Sequence, residues 1–159
     1  GVSHSERNES GDKPLRFIQM WLTPRRRGLT PNYGSLVADA TCNQSRLNQF
    51  AWLVADVENK DNSSKIPIHI NTDANIYAAE LDGSKQIEFK IEEGRAAYIV
   101  QLEGSAIFDD ENESIEKTKL DRHEAARVYG PITLRIEANK DSEKDQNPHI
   151  LLVEVESPK

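Results

Sequence analysis

Apolar and polar residues alternate with a period of two in several segments of this chain, and this pattern constrains its fold more than any other feature. The clearest apolar positions are Ile87, Phe89 and Ile91, then Ile132, Leu134 and Ile136, and finally Val153 and Val155. Successive side chains of a β-strand point to opposite faces, so each segment predicts a strand with one face on a core and the other in water. Glu154 and Glu156, which alternate with the two valines, are expected on the solvent face.

Less regular apolar runs add further candidate strands. They cover residues 15–22, 50–54, 66–70, 76–81 and 96–102. Turn-forming residues separate the runs, and we interpret one acidic segment, 109–114, as a solvated loop. Two short segments, 114–119 and 122–128, are the places where a helix is an alternative. Many short strands separated by roughly 8–15 residues are typical of a sandwich or barrel, so we predict an all-β fold.

The run at residues 15–22 differs from the other candidate strands because it is apolar on both faces. Phe17 and Trp21 share one face, and Ile18 and Met20 share the other. A strand of this kind needs cover on both sides, so we expect it to pack against another body rather than stand free in water. A polar segment without periodicity precedes it, and the chain from about residue 40 carries enough strands for a complete small domain.

Composition excludes several classes of partner. The 159 residues carry a net charge of −7, whereas non-specific nucleic-acid binding needs a dense field of lysine and arginine. Arg25, Arg26 and Arg27 form a compact basic run that we interpret as an exposed loop. The chain contains no run of the roughly 18 apolar residues that a transmembrane helix requires, so we expect no membrane partner. Cys42 is the single cysteine, which favours a reducing compartment, the cytoplasm or alternatively the nucleus.

The opening residues carry the spacing that best suits a chemical site. His4 and Glu6 are two residues apart, so on an extended segment both side chains point to the same side. An imidazole and a carboxylate that converge in this way suit a divalent metal such as iron, manganese or zinc. A polar N-terminal tail without a metal is the alternative interpretation of the same triplet.

The segment around this pair resembles the pirin family of cupin proteins. Gly1, His4 and Asn8 fit the second cupin motif, G-x-x-H-x-x-x-N. In pirins a His-x-Glu pair is followed by an Asn, a short polar segment and a strand with a Q-x-W signature, which corresponds here to Gln19–Trp21. Residues 30–33 resemble the linker of the family. The resemblance is strongest over residues 1–34 and extends more diffusely over the rest of the chain.

The resemblance implies a domain organisation and a metal site. Pirins are bicupins, so residues 1–23 would be the tail of an N-terminal cupin with its final strand, residues 24–40 a linker, and residues 41–159 a C-terminal cupin, an antiparallel jelly-roll barrel. In the family a metal, usually iron, is held by two histidines of an H-x-H motif together with the His-x-Glu pair. His4 and Glu6 would then be two of four protein ligands. We expect the two further histidines upstream, in the N-terminal half of the same protein, which is therefore the first partner.

The C-terminal domain is expected to hold no metal of its own. When the first cupin motif is aligned on Gly104, its glutamate position falls on Ala97 and its histidine positions fall near residues 90–93. When the second motif is anchored on Gly130, its histidine position falls on Thr133. None of these alignments gives a usable ligand set. We interpret the remaining histidines as packed or solvent-facing residues; these are His69, His123 and His149.

We consider two functions for the intact protein. The resemblance implies a metal-dependent dioxygenase of the quercetinase type that acts on a flavonol, and in that case the present chain alone is expected to be inactive. The alternative is a regulatory, protein-binding pirin, either a transcriptional cofactor or a redox-responsive module without catalysis. A structural β-domain that has lost both activities is the third interpretation.

Overall fold

The computed structural model describes residues 3–36, 44–59, 66–83, 85–139 and 147–158, and the strands of the fold lie in the described ranges after residue 50. The ten strands in these ranges are β1 Ala51–Asp56, β2 Ile68–Ile70, β3 Ala74–Glu80, β4 Gln86–Ile91, β5 Arg95–Glu103, β6 Ala106–Asp110, β7 Thr118–Leu120, β8 Ala125–Tyr129, β9 Ile132–Ala138 and β10 His149–Glu156. The same ranges contain no helix that is long and apolar enough to cross a membrane. Cys42 and the predicted boundary at residues 40 and 41 lie outside them.

The strands form two sheets. One has the order β2-β1-β3-β10-β5-β8 and the other the order β4-β9-β6-β7. Neighbouring strands are antiparallel except for β1 and β2, which pair in parallel. The last strand, β10, lies in the middle of the larger sheet, where Leu152 is opposite Tyr77 of β3 and Ile99 of β5. The all-β sandwich predicted from the alternation is confirmed.

The main core lies between the two sheets. Along β10, Ile150 and Leu152 point into this core and are completely buried, together with Leu134 and Ile136 from β9 of the smaller sheet. Leu151 and Val153 point the other way, to the outer face of the larger sheet. Burying one large apolar side chain stabilises a fold by about 1.5–3 kcal/mol, so these four side chains contribute strongly to the packing of one sheet on the other.

Three of the strands differ from the sequence prediction. β7 and β8 overlap the two segments for which a helix was the alternative, and β6 extends into the acidic segment that was interpreted as a solvated loop. That interpretation is wrong for Asp110, which is only 1% exposed. Its carboxylate accepts hydrogen bonds from the Ser114 hydroxyl at 2.7 Å and from the backbone N–H of Ile115 at 3.1 Å and of Asn112 at 3.2 Å. A buried carboxylate thus organises the turn after β6.

The strand predicted at residues 15–22 does not form within this chain. These residues have no regular secondary structure, and none of the strands in the described ranges supplies the backbone partners that a further strand would require. Phe17 is 61% exposed and Trp21 is 86% exposed, and the apolar side chains between them are also largely exposed. The expectation that this segment is covered on both faces is therefore not met by the chain itself. We call residues 16–34, which run along the outer face of the larger sheet, the strap.

Candidate metal centre

His4 and Glu6 lie just before the strap and contact each other. The Nε2 atom of His4 is 2.8 Å from Oε1 of Glu6, so the two-residue spacing brings the imidazole and the carboxylate to one side of the chain. Their side chains are 55% and 42% exposed. An exposed pair held only by its own ion pair contributes little to stability, because water screens the charges and the side chains lose freedom when they pair. Stabilisation of the fold therefore does not explain why the side chains of His4 and Glu6 are placed together.

A hydrogen-bonded loop turns the chain back so that the strap passes His4. The Asn8 side chain donates to the Lys13 carbonyl at 2.6 Å and accepts from the Ser10 backbone N–H at 3.1 Å. The Ser10 hydroxyl in turn accepts from the Lys13 backbone N–H at 3.1 Å. As a result Gln19 meets His4, with 3.3 Å between the two Nε2 atoms. Asn8, which the sequence linked to a cupin motif, is thus the residue that builds this loop.

The tautomer of His4 decides which neighbour it bonds. With a hydrogen on Nε2, the ring donates to the Glu6 carboxylate; without it, the same nitrogen can accept from the Gln19 amide. Metal ligation requires the unprotonated nitrogen, because only a free lone pair can bind a cation. The Gln19 amide is placed to support the unprotonated form, and Glu6 is placed to offer the second donor.

The two donors fit part of a metal site. Imidazole nitrogen together with carboxylate oxygen suits iron, manganese or zinc, whereas catalytic sites of this kind use at least three protein ligands. Among the described residues no group of three or more histidine, cysteine, aspartate or glutamate side chains could hold a metal ion. His4 and Glu6 can therefore serve as part of a ligand set, and this part of the chain does not complete it.

The other histidines lie elsewhere in the fold. His69 belongs to β2, and its Nε2 atom is buried with no hydrogen-bond partner among the described residues. His123 occupies a turn with a φ of 70° and donates its backbone N–H to the Gln101 carbonyl. His149 begins β10, where burial, and secondarily the charge of Arg46, lowers the pKa of its imidazole. None of the three lies in a metal-binding group of described residues.

Sequence patterns missed a polar cluster at one end of the barrel. Glu154 continues the inward face of β10 beyond Ile150 and Leu152, and it is only 9% exposed, so its predicted position in water is wrong. It accepts from Arg95 Nε at 3.2 Å and from Asn75 Nδ2 at 2.8 Å. Each of these residues comes from a different strand, and they pair only because β10 lies between β3 and β5. Alternation assigned Glu154 to the wrong face of β10, because this central strand is buried on both faces.

The cluster lies beside an open cleft of about 610 Å³ on the same end of the larger sheet. Arg95 also forms a two-pronged ion pair with Asp73, with distances of 2.8 and 2.9 Å. Burial, followed by the charge of Glu154, raises the pKa of the Tyr77 hydroxyl well above its ordinary value. Tyr77 therefore stays neutral here, and the charges of the cluster belong to carboxylates and guanidinium groups that are already paired.

Comparison with known proteins shows which family the chain belongs to. Residues 53–155 match the family described as the quercetinase C-terminal cupin domain. This chain belongs to the pirin family. The match covers the barrel from β1 to β10, so the chain is a C-terminal portion of the pirin type, and the cupin fold expected from the resemblance is confirmed.

Curated relatives and a solved structure extend this finding. A provisionally named quercetin 2,3-dioxygenase of Pseudomonas aeruginosa is 30% identical over 155 residues, covering 98% of this chain and 58% of the relative. The quercetin 2,3-dioxygenase of Escherichia coli K12 is 27% identical over 143 residues, covering 90% of this chain and 54% of that protein. The crystal structure of Escherichia coli YhhW has the same fold over 87% of this chain and 49% of its own, with a TM-score of 0.64 and 17% identity. The chain thus spans about half the length of the curated relatives it matches.

Proposed function

We propose that this chain is the C-terminal portion of a metal-dependent enzyme of the quercetin 2,3-dioxygenase type. The observation that carries the proposal is the convergence of His4 Nε2 and Glu6 Oε1 at 2.8 Å on an exposed surface, in a chain whose relatives bear that name. In the intact protein, His4 and Glu6 would be two of four ligands, and two histidines from the N-terminal half would complete the set. Iron is the metal we propose, and a flavonol is the substrate class.

The chemistry of the two donor groups, an imidazole and a carboxylate, defines what each would contribute to the metal site. When bound, the metal would supply a Lewis-acidic centre that holds the flavonol and makes it reactive toward oxygen. His4 contributes a neutral nitrogen donor, and Glu6 contributes a negative charge that offsets part of the metal charge. Gln19, whose amide lies 3.3 Å from His4 Nε2, would hold this nitrogen in its unprotonated form and would give up the contact when the lone pair binds the metal.

The chain by itself is proposed to be inactive. Two donors with side-chain exposures of 55% and 42% leave most of the coordination shell to water, and water-filled sites bind transition metals weakly. Its first partner is therefore the N-terminal half of the same protein. We place the intact protein in the cytoplasm; the relatives named above are bacterial, and they lend no support to the nuclear alternative.

Metal analysis of the intact protein tests the proposal. We expect about one iron per chain, and the variants His4→Ala and Glu6→Gln to lose more than the roughly 10–100-fold in metal affinity that removing a supporting partner costs. His123→Asn is the matched control, because His123 is exposed in a left-handed turn that asparagine tolerates. A protein that keeps all of its metal after His4→Ala would contradict the ligand assignment.

Oxygen consumption with a flavonol then tests the reaction. The metal-loaded wild type should consume oxygen, and His4→Ala should not. A protein that is fully loaded with metal but consumes no oxygen would overturn the enzymatic proposal and favour the regulatory, protein-binding alternative.

A further inference from the structure

The strap is attached to two strands that lie toward opposite edges of the larger sheet, β5 and β1. Near its start, Arg16 forms an ion pair with Glu103 at the end of β5. Farther along, Arg25 forms an ion pair with Asp56 at the end of β1. The sheet order places β3 and β10 between β1 and β5, so the two attachments are three strand spacings apart across the sheet, about 14 Å. They also lie at opposite ends of the strands, because Glu103 is level with His149 whereas Asp56 lies near the level of Val155. The strap therefore crosses the outer face of the larger sheet rather than hanging from one edge.

Weaker contacts lie between and beyond these two ion pairs. Leu22 packs against the apolar cluster on the outer face of the sheet. The carbonyl of Thr23 accepts a hydrogen bond from the Thr72 hydroxyl at 3.1 Å. Asn32 donates to the His69 carbonyl at 3.3 Å, which attaches the far end of the strap to β2. The strap thus follows a defined path, although it adds no strand to the sheet.

Arg25 binds the barrel through both its backbone and its side chain. Its backbone N–H donates to the Asn71 carbonyl at 2.9 Å, and its Nη1 donates to Glu58 at 2.8 Å while Nη2 pairs with Asp56. The side chain is 26% exposed, whereas that of Arg16 is 60% exposed. The hydrogen bond that Arg25 donates to the Asp56 carboxylate raises the pKa of the guanidinium above its ordinary value. Arg25 lies in the exposed loop that the sequence predicted, and its head group binds two carboxylates of the barrel.

The cleft beside Arg25 is better explained as this attachment than as a ligand site. It is lined by Arg25, Asp56, Glu58, Asn59, Asp73, Asn75 and Arg95. Asp56 and Glu58 are paired with Arg25, and Asp73 is paired with Arg95. A ligand would have to replace these ion pairs, whereas the strap supplies the guanidinium that the two carboxylates at the end of β1 require.

The path of the strap connects Arg25 to the candidate metal ligands. Gln19 lies between Arg16 and Arg25, and it contacts His4 at 3.3 Å. We propose that Arg25 is a positioning residue that fixes the strap on the C-terminal barrel and thereby holds His4 and Glu6 in place for the metal. The metal part of this inference rests on the proposed function; the anchoring part stands on the contacts of this chain alone. The C-terminal barrel, which aligns with no metal motif, gains a role as the platform for a site in its neighbour.

The anchoring part is tested on this chain without any metal. Chymotrypsin cleaves after aromatic residues, so Phe17 and Trp21 report on the strap and remain unchanged in arginine variants. We expect Arg25→Ala to speed cleavage at these two residues at least about fivefold, because the strap detaches more often. Arg26→Ala, one residue along the same basic run, is the matched control and should cleave at the wild-type rate. Equal cleavage rates in Arg25→Ala and the wild type would overturn the proposal.

The positioning part is tested on the intact protein loaded with cobalt(II), whose visible absorption reports on ligand geometry. Arg25→Ala should weaken cobalt affinity about tenfold in competition with a chelator and change the absorption band, whereas Arg26→Ala should change neither. Arg25→Lys should recover part of both effects, because an ammonium can pair with one of the two carboxylates but not with both at once. A role in stability alone would lower the melting temperature and leave the cobalt spectrum of the folded protein unchanged.

The outcomes separate this inference from the proposed function. If Arg25→Ala speeds strap cleavage but keeps wild-type cobalt affinity and spectrum, the positioning role is overturned while the metal site stands. If the wild-type intact protein takes up no metal, or His4→Ala keeps it, the proposed function fails and the positioning role fails with it. In that case the chymotrypsin comparison still decides whether Arg25 anchors the strap.

Discussion

The barrel and the strap belong to one chain but are held in place by different kinds of interaction. In the barrel, every strand pairs through its backbone with at least one neighbour, and side chains from both sheets fill a shared core. The strap forms no strand pairing, and it is attached by ion pairs, a few hydrogen bonds and the packing of Leu22. The barrel is therefore a cooperative unit, whereas the strap can detach at a cost set by a handful of contacts.

This difference has a consequence for function. The candidate ligands His4 and Glu6 belong to the region with few contacts, so their position depends on attachments to the rigid region. Sites built on rigid elements hold their geometry more precisely than sites on loops. A second barrel that covers Phe17 and Trp21 would add the missing contacts, in agreement with our proposal that the site is completed by the N-terminal half.

The largest difference between the two regions should appear when an apolar side chain is truncated in each. Leu134 is completely buried in the core between the sheets. Leu134→Ala should lower the free energy of unfolding by about 2–5 kcal/mol, because it removes buried apolar surface and leaves a cavity. Leu15→Ala, just before the strap, changes a largely exposed side chain and should alter it by less than about 0.5 kcal/mol. Urea denaturation of both variants measures the contrast, and equal losses would show that the segment around Leu15 is part of the cooperative unit.

Alternation predicted the barrel well wherever strands are buried on one face. It located β4 and β9 with the correct faces inward. It located β10 but assigned the wrong face, because this strand is buried on both faces and Val153 and Val155 point to the outer one. It missed β6, β7 and β8, and the last two lie at the ends of the two sheet orders. The five residues of β8 are all exposed or half-buried, so this strand has little apolar pattern to detect. Periodicity reports burial, and edge strands are paired without being buried.

The candidate site was predictable only in part, for a related reason. The two-residue spacing of His4 and Glu6 is a local property, and it was enough to bring them to one side of the chain. The Arg25 attachment joins residues 31 and 33 positions apart in the sequence, so only the folded sheet brings them together. The ion pair of Arg95 with Glu154, 59 positions apart, escaped prediction in the same way.

A medium effect is expected at the turn after β6, where a charged group stabilises the barrel. The Ser114 hydroxyl, followed by backbone N–H groups, holds the pKa of Asp110 below its ordinary value of 3.8, against the opposing effect of burial. The folded state therefore favours the ionised form, and this stabilisation is present above pH 3.8 and is lost as the pH falls through the lowered pKa. Asp110→Asn should lower the melting temperature by about 5 °C at pH 7 and by less at pH 3.

The matched control for Asp110 is Asp12, an exposed carboxylate in the tail before the strap. Asp12→Asn should leave the melting temperature unchanged at both pH values, because its side chain contacts only the nearby Ser10 hydroxyl among the described contacts. Thermal unfolding followed by circular dichroism measures all three proteins. A deficit in Asp110→Asn that stays constant from pH 7 to pH 3 would mean that the turn uses the shape of the side chain rather than its charge.

The smallest effect on stability and the clearest spectroscopic contrast are expected from the two tryptophans, one in each region. Trp52 of β1 stacks on Tyr77 with 5.5 Å between ring centroids and donates its indole N–H to the Val54 carbonyl at 2.8 Å. Trp21 is 86% exposed. Trp21→Phe should leave the melting temperature unchanged and remove the red-shifted, acrylamide-quenchable part of the fluorescence, whereas Trp52→Phe should remove the blue-shifted part and lower the melting temperature. If Trp21 were instead protected from acrylamide, and increasingly so as the protein concentration rises, the strap would be covered by a second copy of the chain. The exposed apolar face would then serve self-association, and the contrast between barrel and strap would hold only at high dilution.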